Sequence, residues 1–155
     1  MKQEHSINNV PNIKNANVCI LQSKWYKEQT DCMTKKCIDV LKMADANINT
    51  YIVPGCLEFA LAAQSLLNVK QYDAIICIGV LMKGDTDHYD MILQSCVIGM
   101  QNVSLASETP LINAILPVSS VEQAVERASD NNFNKGIEAA IAAAEFIQWR
   151  RDAIG

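Results

Sequence analysis

Nothing in the 155 residues forms a C-x-x-C pair, and histidine occurs only at positions 5 and 88. A zinc centre would therefore have to gather scattered thiols around one or two imidazoles, so the usual finger and ribbon spacings are excluded and no metal is expected. No apolar run approaches the roughly 18 residues that a membrane-spanning helix needs. The opening MKQEHSINNVPNIKN is polar and lacks the apolar stretch of a signal peptide, which makes a cytoplasmic protein without membrane association the expectation. Basic residues are scattered in a chain of net charge -4 and isoelectric point near 5.1, leaving no positive stripe for nucleic acid. Aromatics are only 6% of the sequence.

What is present fits one domain large enough to bury its own core, since 50% of the residues are hydrophobic and 19% charged. Cys19, Cys32, Cys37, Cys56, Cys77 and Cys96 include several inside apolar runs such as AIICIGV, so they read as buried, reduced thiols.

From Asn17 onward, short apolar runs alternate with longer segments of helical period. That alternation predicts an α/β fold, a three-layer α/β/α sandwich around a four-stranded, mainly parallel sheet of flavodoxin-like type. Residues 1–16 stand apart as an N-terminal extension that adds to a neighbouring subunit, and 17–155 form the single domain. The expected strands are Val18–Leu21, Ile48–Val53, Asp73–Leu81 and Leu111–Leu116, the last stopped by Pro117. Asp73–Leu81 is almost continuously apolar, as a central strand covered on both faces should be. Met33, Cys37, Val40 and Leu41 recur at helical spacing behind a cap at Thr30 or Asp31. Leu57–Leu67 reads as a largely buried helix after the Pro54-Gly55 turn. Further helices are expected from about Asp90 to Gln101, from a capping box at Ser119-Ser120 and Glu122-Gln123 to Ala128, and over Gly136–Arg151. No internal repeat is visible.

Ligands of open parallel sheets bind beyond the carboxyl ends of the strands. Three loops qualify. In Lys83–His88, Gly84 permits close approach, Thr86 offers a hydroxyl and His88 belongs to the residue type that exchanges protons near neutral pH. A solvated turn with a surface histidine is the plainer reading and, for an isolated loop, the one ahead. Arg127 and Lys135 follow a stretch, Gly84–Glu126, that contains no lysine or arginine. They could clamp a phosphate, the arginine as a bidentate fork. Equally, Arg127 could top the end of its helix and Lys135 be solvated. Glu58 suits a helix N-terminus and could as well bind sugar hydroxyls. Trp25, in the loop after the first strand, could stack on a flat heterocycle or fill a subunit interface.

VPGCLEF (53–59), YDAIICIGVLMKGDTDHYD (72–90) and ERASDNNFNKGIEAAIAAAEF (126–146), taken in this order, closely resemble the lumazine synthases of riboflavin biosynthesis over most of the chain from residue 17. The resemblance implies a transferase that joins 5-amino-6-ribitylamino-uracil to 3,4-dihydroxy-2-butanone 4-phosphate, giving 6,7-dimethyl-8-ribityllumazine, with no cofactor and no metal. By matching position it implies stacking by Trp25 and ribityl or ring contacts from Gly55, Cys56, Leu57 and Glu58. Val80, Leu81 and Met82 would hold the ring, in part through backbone groups. Gly84, Asp85 and Thr86 would cradle the phosphate with Arg127, His88 would transfer protons, and Lys135 would add positive charge.

The family builds its sites between subunits of a pentamer, so a homo-oligomer built from pentamers is implied, with riboflavin synthase as a further partner. Some positions depart from the common pattern: Lys24-Trp25-Tyr26 replaces R-F-N, Cys56 stands for a small residue, and Asn113 stands where an aromatic is usual. Trp25 and Asn113 resemble the second, decameric type, and the absence of glycine in Ser129–Asn134 favours a pentamer or decamer over a sixty-subunit shell. A non-catalytic flavin- or lumazine-binding relative, or a structural assembly protein, is the competing function. Retention of Glu58, His88, Arg127 and Lys135 favours the enzyme.

Overall fold

Alternation of side chains along each strand decides how the layers form, because successive residues face opposite sides of a sheet. The computed structural model describes residues 4–84 and 88–155. The elements are β1 (Asn17–Ser23), α1 (Lys27–Met43), β2 (Asn47–Val53), a 3-10 turn at Cys56–Glu58 leading into α2 (Phe59–Leu67), β3 (Ala74–Met82), α3 (His88–Ser107), β4 (Leu111–Val118), α4 (Val121–Ala128) and α5 (Lys135–Ala153). All four strands pair in parallel in the order β2-β1-β3-β4. This is the expected three-layer α/β/α sandwich, with the strand order of the flavodoxin-like pattern.

On one face Val18, Ile20, Ile76, Ile78 and Leu116 pack with Met33 and Leu41 of α1, Ala124 of α4 and Ala140 and Ala144 of α5. On the other, Leu21, Ile75, Cys77 and Ile115 pack with Phe59 and Ala63 of α2 and Cys96 and Met100 of α3. The interior strands β1 and β3 are buried on both faces, which is why Ala74–Val80 can be apolar without interruption.

Several boundaries moved for local reasons. The first helix starts at Lys27, so Thr30 and Asp31 are inside it rather than capping it. Both are engaged by the buried Gln22 at the end of β1: its Nε2 donates to Thr30 Oγ1 at 3.1 Å and to Asp31 Oδ1 at 2.7 Å, while Thr34 Oγ1 donates to Gln22 Oε1 at 2.7 Å. The Asp31 carboxyl is held below the usual carboxylate range by its hydrogen bonds from Lys27 and Gln22. β4 runs through Pro117 to Val118, with Pro117 in register with Leu81. As an edge strand it has no outer neighbour that would need the missing N–H. The third helix begins at His88 and extends to Ser107. Ser120 does cap α4, accepting from the backbone N–H of Gln123, whose side chain accepts in return from Ser119 N.

The helix expected to be largely buried, α2, buries only Phe59 and Ala63, and its Leu61 is 68% exposed in the single chain. Residues preceding β1 reach the core: Ile13 and Ala16 are fully buried, and Ile13 N donates to Ala44 O at 2.8 Å.

The helices α1 and α5 meet at Gly136, where an added Cβ would lie 2.0 Å from the backbone oxygen of Met33. No side-chain rotation relieves a clash with backbone. Gly136→Ala should therefore lower the unfolding free energy by about 1–3 kcal/mol, read as a lower urea midpoint. Gly84→Ala, where among the described residues no atom beyond the chain neighbours lies within 4 Å of the new methyl, should shift it by less than about 0.5 kcal/mol.

Candidate active site

Because the strands are parallel, β1, β2 and β3 end side by side, and the segments that leave them enclose a cavity of about 480 Å³. Trp25 and Tyr26 wall it after β1, Gly55 to Glu58 after β2, and Val80 to Met82 at the end of β3, with Ile92 of α3 closing one side. Tyr26 has φ of 54°, a left-handed conformation uncommon for an aromatic residue, and its carbonyl accepts from Thr30. That turn leaves Trp25 60% exposed, with the Lys24 ammonium 5.0 Å from its ring centroid. A Cβ at Gly55 would stand 3.3 Å from Glu58 Oε2 and 3.7 Å from Trp25 Nε1, so the carboxylate and the indole flank one glycine.

Gly79 lets the turn at 56–58 press onto the sheet, since a Cβ there would approach Cys56 Sγ to 2.6 Å. Burial pushes the Cys56 thiol up to about 12, mainly by desolvation. It is a wall of the cavity and no nucleophile.

A second constellation forms where α4 ends and α5 begins. Asn134 is fully buried; its Oδ1 caps Gly136 N at 2.8 Å and its Nδ2 donates to Ser129 O at 2.8 Å. This fixes the first turn of α5. Arg127 Nε donates to Phe133 O and Nη2 to Glu138 Oε2, both at 3.2 Å. Lys135 Nζ lies 3.6 Å from the same carboxylate oxygen, and so does His5 Nε2. Arg127 and Lys135 side chains are only 15% and 17% exposed, so neither projects freely into water.

Eight of the residues singled out in the sequence therefore share one cavity: Trp25, Gly55, Cys56, Leu57, Glu58, Val80, Leu81 and Met82. Arg127 and Lys135 share the second constellation. The two do not merge within the chain, because the cavity opens beside α2 and α3 whereas the cluster belongs to α4 and α5, helices of the opposite layer. Gly84 is exposed beyond β3, His88 is exposed at the start of α3, and neither lines the cavity. Asn113 is exposed on β4, its Oδ1 accepting from Ile115 N at 3.0 Å. Asp85 and Thr86 lie outside the described residues.

Two members of the cluster were not foreseen as functional. Glu138 carries a signal, its i+3 spacing from Lys135 on a helix. His5 carries none. A larger hollow of about 920 Å³, bordered by Lys70, Asp73, Arg150 and Arg151, lies at the opposite end of the sheet and holds none of the residues singled out above. Among the described residues no group of three or more His, Cys, Asp or Glu is placed to hold a metal ion, and no helix is long and apolar enough to cross a membrane.

An open parallel sheet with an aromatic-lined cavity at its carboxyl end defines an α/β protein suited to small-molecule ligands. The family model of 6,7-dimethyl-8-ribityllumazine synthase matches residues 15–151. A 6,7-dimethyl-8-ribityllumazine synthase of Leuconostoc mesenteroides subsp. mesenteroides is similar to it, 31% identical over 136 residues that cover 86% of this chain and 87% of the relative. The chain belongs to the 6,7-dimethyl-8-ribityllumazine synthase family, a family of transferases.

Cys56→Ala should cost about 1 kcal/mol of stability through the small void it leaves, read as a lower urea midpoint. Iodoacetamide at mildly alkaline pH should label Cys32, which is partly exposed, before Cys56, as peptide mass mapping would show.

Proposed function

We propose that the reaction of this family takes place where the cavity of one chain meets the Arg127–Lys135 cluster of a neighbouring copy. The reaction condenses 5-amino-6-ribitylamino-uracil with 3,4-dihydroxy-2-butanone 4-phosphate to 6,7-dimethyl-8-ribityllumazine, with release of phosphate and water. The observation that carries the shared site is the division of the functional residues between two layers of the sandwich. The exposed apolar residues on α2 and α3, among them Leu61, Met91 and Ile98, support it, because they leave apolar surface on the layer that carries the cavity for another copy to cover.

In this reading the pyrimidine ring stacks against Trp25, and Glu58, Gly55, Cys56 and Leu57 hold the ribityl chain. Val80, Leu81 and Met82 bound the ring, with Asn113 at its outer margin. Gly84, Asp85 and Thr86 receive the phosphate, which Arg127 clamps. His88 moves protons as the imine forms and phosphate leaves, and Lys135 balances the developing negative charge. Such a mechanism depends chiefly on orientation of two substrates and on charge placed in advance.

Residues 17–155 form the catalytic domain, and the 1–16 extension lies at the boundary with a neighbouring copy. The assembly is a pentamer or a decamer, located in the cytoplasm and delivering lumazine to riboflavin synthase.

Purified protein mixed with both substrates should form lumazine, followed by its absorbance, and light scattering should give the mass of an assembly of pentamers. Chains carrying Arg127→Ala or His88→Ala, each weak alone, should regain activity when refolded together, and failure to do so would defeat the shared site. Loss of a charge-assisted hydrogen bond costs about 1.5–3 kcal/mol, so Arg127→Ala should reduce kcat/KM for the butanone phosphate roughly 10- to 150-fold. Affinity for the ribitylamino-uracil should hardly change. Equal weakening of both ligands together with dissociation of the oligomer would make Arg127 an interface residue instead.

A further inference from the structure

His5 is the residue of the cation cluster for which neither motif nor fold accounts. Its imidazole is only 12% exposed, and among the described residues Nε2 is enclosed without a hydrogen-bond partner. Glu138 Oε2 is 3.6 Å away, too far for a hydrogen bond. A buried polar nitrogen left unsatisfied is costly unless something else supplies the missing acceptor.

The imidazole is not there by chance contact. His5 N donates to Asn132 O at 2.9 Å, and Asn132 Nδ2 donates to Glu4 Oε1 at 3.1 Å, so two hydrogen bonds tie the tail to the segment between α4 and α5. Three donors from three parts of the chain, Arg127 Nη2, Lys135 Nζ and His5 Nε2, converge on one carboxylate oxygen. The Glu138 side chain that supplies it is 43% exposed and can turn outward.

We propose that His5 is a third donor of the phosphate site, giving its Nε2 proton to a phosphate oxygen that replaces Glu138 Oε2 between Arg127 and Lys135. The proposal rests on the reading of Arg127 as the phosphate clamp and extends it to Lys135, the second cation beside it. It assigns a binding role to the N-terminal tail, and it matches donor number to charge, since a phosphate dianion brings more charge than the single carboxylate it displaces.

The charged groups facing His5 are Glu138 and Lys135 from α5, Arg127 from α4, and Glu4 beside it in the tail. Burial holds its pKa below the usual histidine value, Glu138 opposes this, and Arg127 and Lys135 add to the lowering. A bound dianion favours the protonated ring, so binding takes up a proton and should tighten as pH falls through the histidine range. Sulfate does not itself titrate there and isolates the effect.

The test uses the assembled protein, with sulfate and inorganic phosphate titrated calorimetrically into wild type, His5→Ala, His5→Gln, Arg127→Ala and Lys135→Ala. His5→Ala should weaken sulfate roughly tenfold and abolish most of its pH dependence, while His5→Gln, which keeps an N–H, should recover part of the affinity at every pH. KM for the butanone phosphate should rise by a similar factor in His5→Ala, with KM for the ribitylamino-uracil and the melting temperature unchanged. Sulfate affinity and pH dependence identical to wild type in His5→Ala, with binding lost in Arg127→Ala, would overturn the role of His5 and leave the clamp standing. Wild-type anion binding in both Arg127→Ala and Lys135→Ala would overturn the clamp, and this proposal with it. Loss of both substrates and of the assembly in His5→Ala would make the tail a structural element and overturn its role as a donor.

Discussion

The backbone of α5 can lie against the Met33 carbonyl only because position 136 has no side chain. From that contact the cation cluster follows. Once α5 is seated on α1, Asn134 is buried beneath its first turn, where its side chain caps Gly136 and ties the preceding segment to Ser129. Lys135 and Glu138 then share one side of that turn, and Arg127, at the last turn of α4, meets Glu138. The alanines at 139, 140, 143 and 144 continue the same close approach along the helix, contributing little volume and allowing two long helices to cover one face of a narrow sheet.

On the other face a second glycine has the corresponding part. Gly79 on β3 leaves room for Cys56 and Phe59, so the turn after β2 folds down onto the sheet instead of standing away from it. Trp25 and Glu58 are thereby brought to either side of Gly55, and the carboxyl ends of three strands become the floor of one cavity. Gln22 holds the remaining wall. Its amide, buried at the end of β1, is satisfied on both sides by α1, which sets where the loop carrying Trp25 leaves the strand.

The chemistry has the same two-sided character. A flat heterocycle with a polyhydroxyl chain suits an aromatic and carboxylate wall, whereas a phosphate monoester suits shielded cations whose donors are already oriented. Glu138 compensates those cations, which lowers the cost of holding Arg127, Lys135 and an imidazole together away from water.

The order of strands and helices, the central position of β3 and the family were legible in the sequence because each depends on local periodicity or on runs of residues adjacent in the chain, such as AIICIGV and NKGIEAA. Trp25, Gly55, Glu58 and Met82 could be grouped in advance for a related reason: all stand at strand ends, and parallel pairing makes strand ends neighbours. The start of α1 was not legible, since Thr30 resembles a cap and only the tertiary contact with Gln22 draws it into the helix. Nor was the exposure of Leu61, because an apolar helix face looks the same whether the chain itself or another copy is to cover it. Tertiary structure alone decided that His5 and Glu138, 133 residues apart, would meet beside Arg127. Their encounter depends on the path of the tail across the segment between α4 and α5, a long-range contact that no spacing along the chain records.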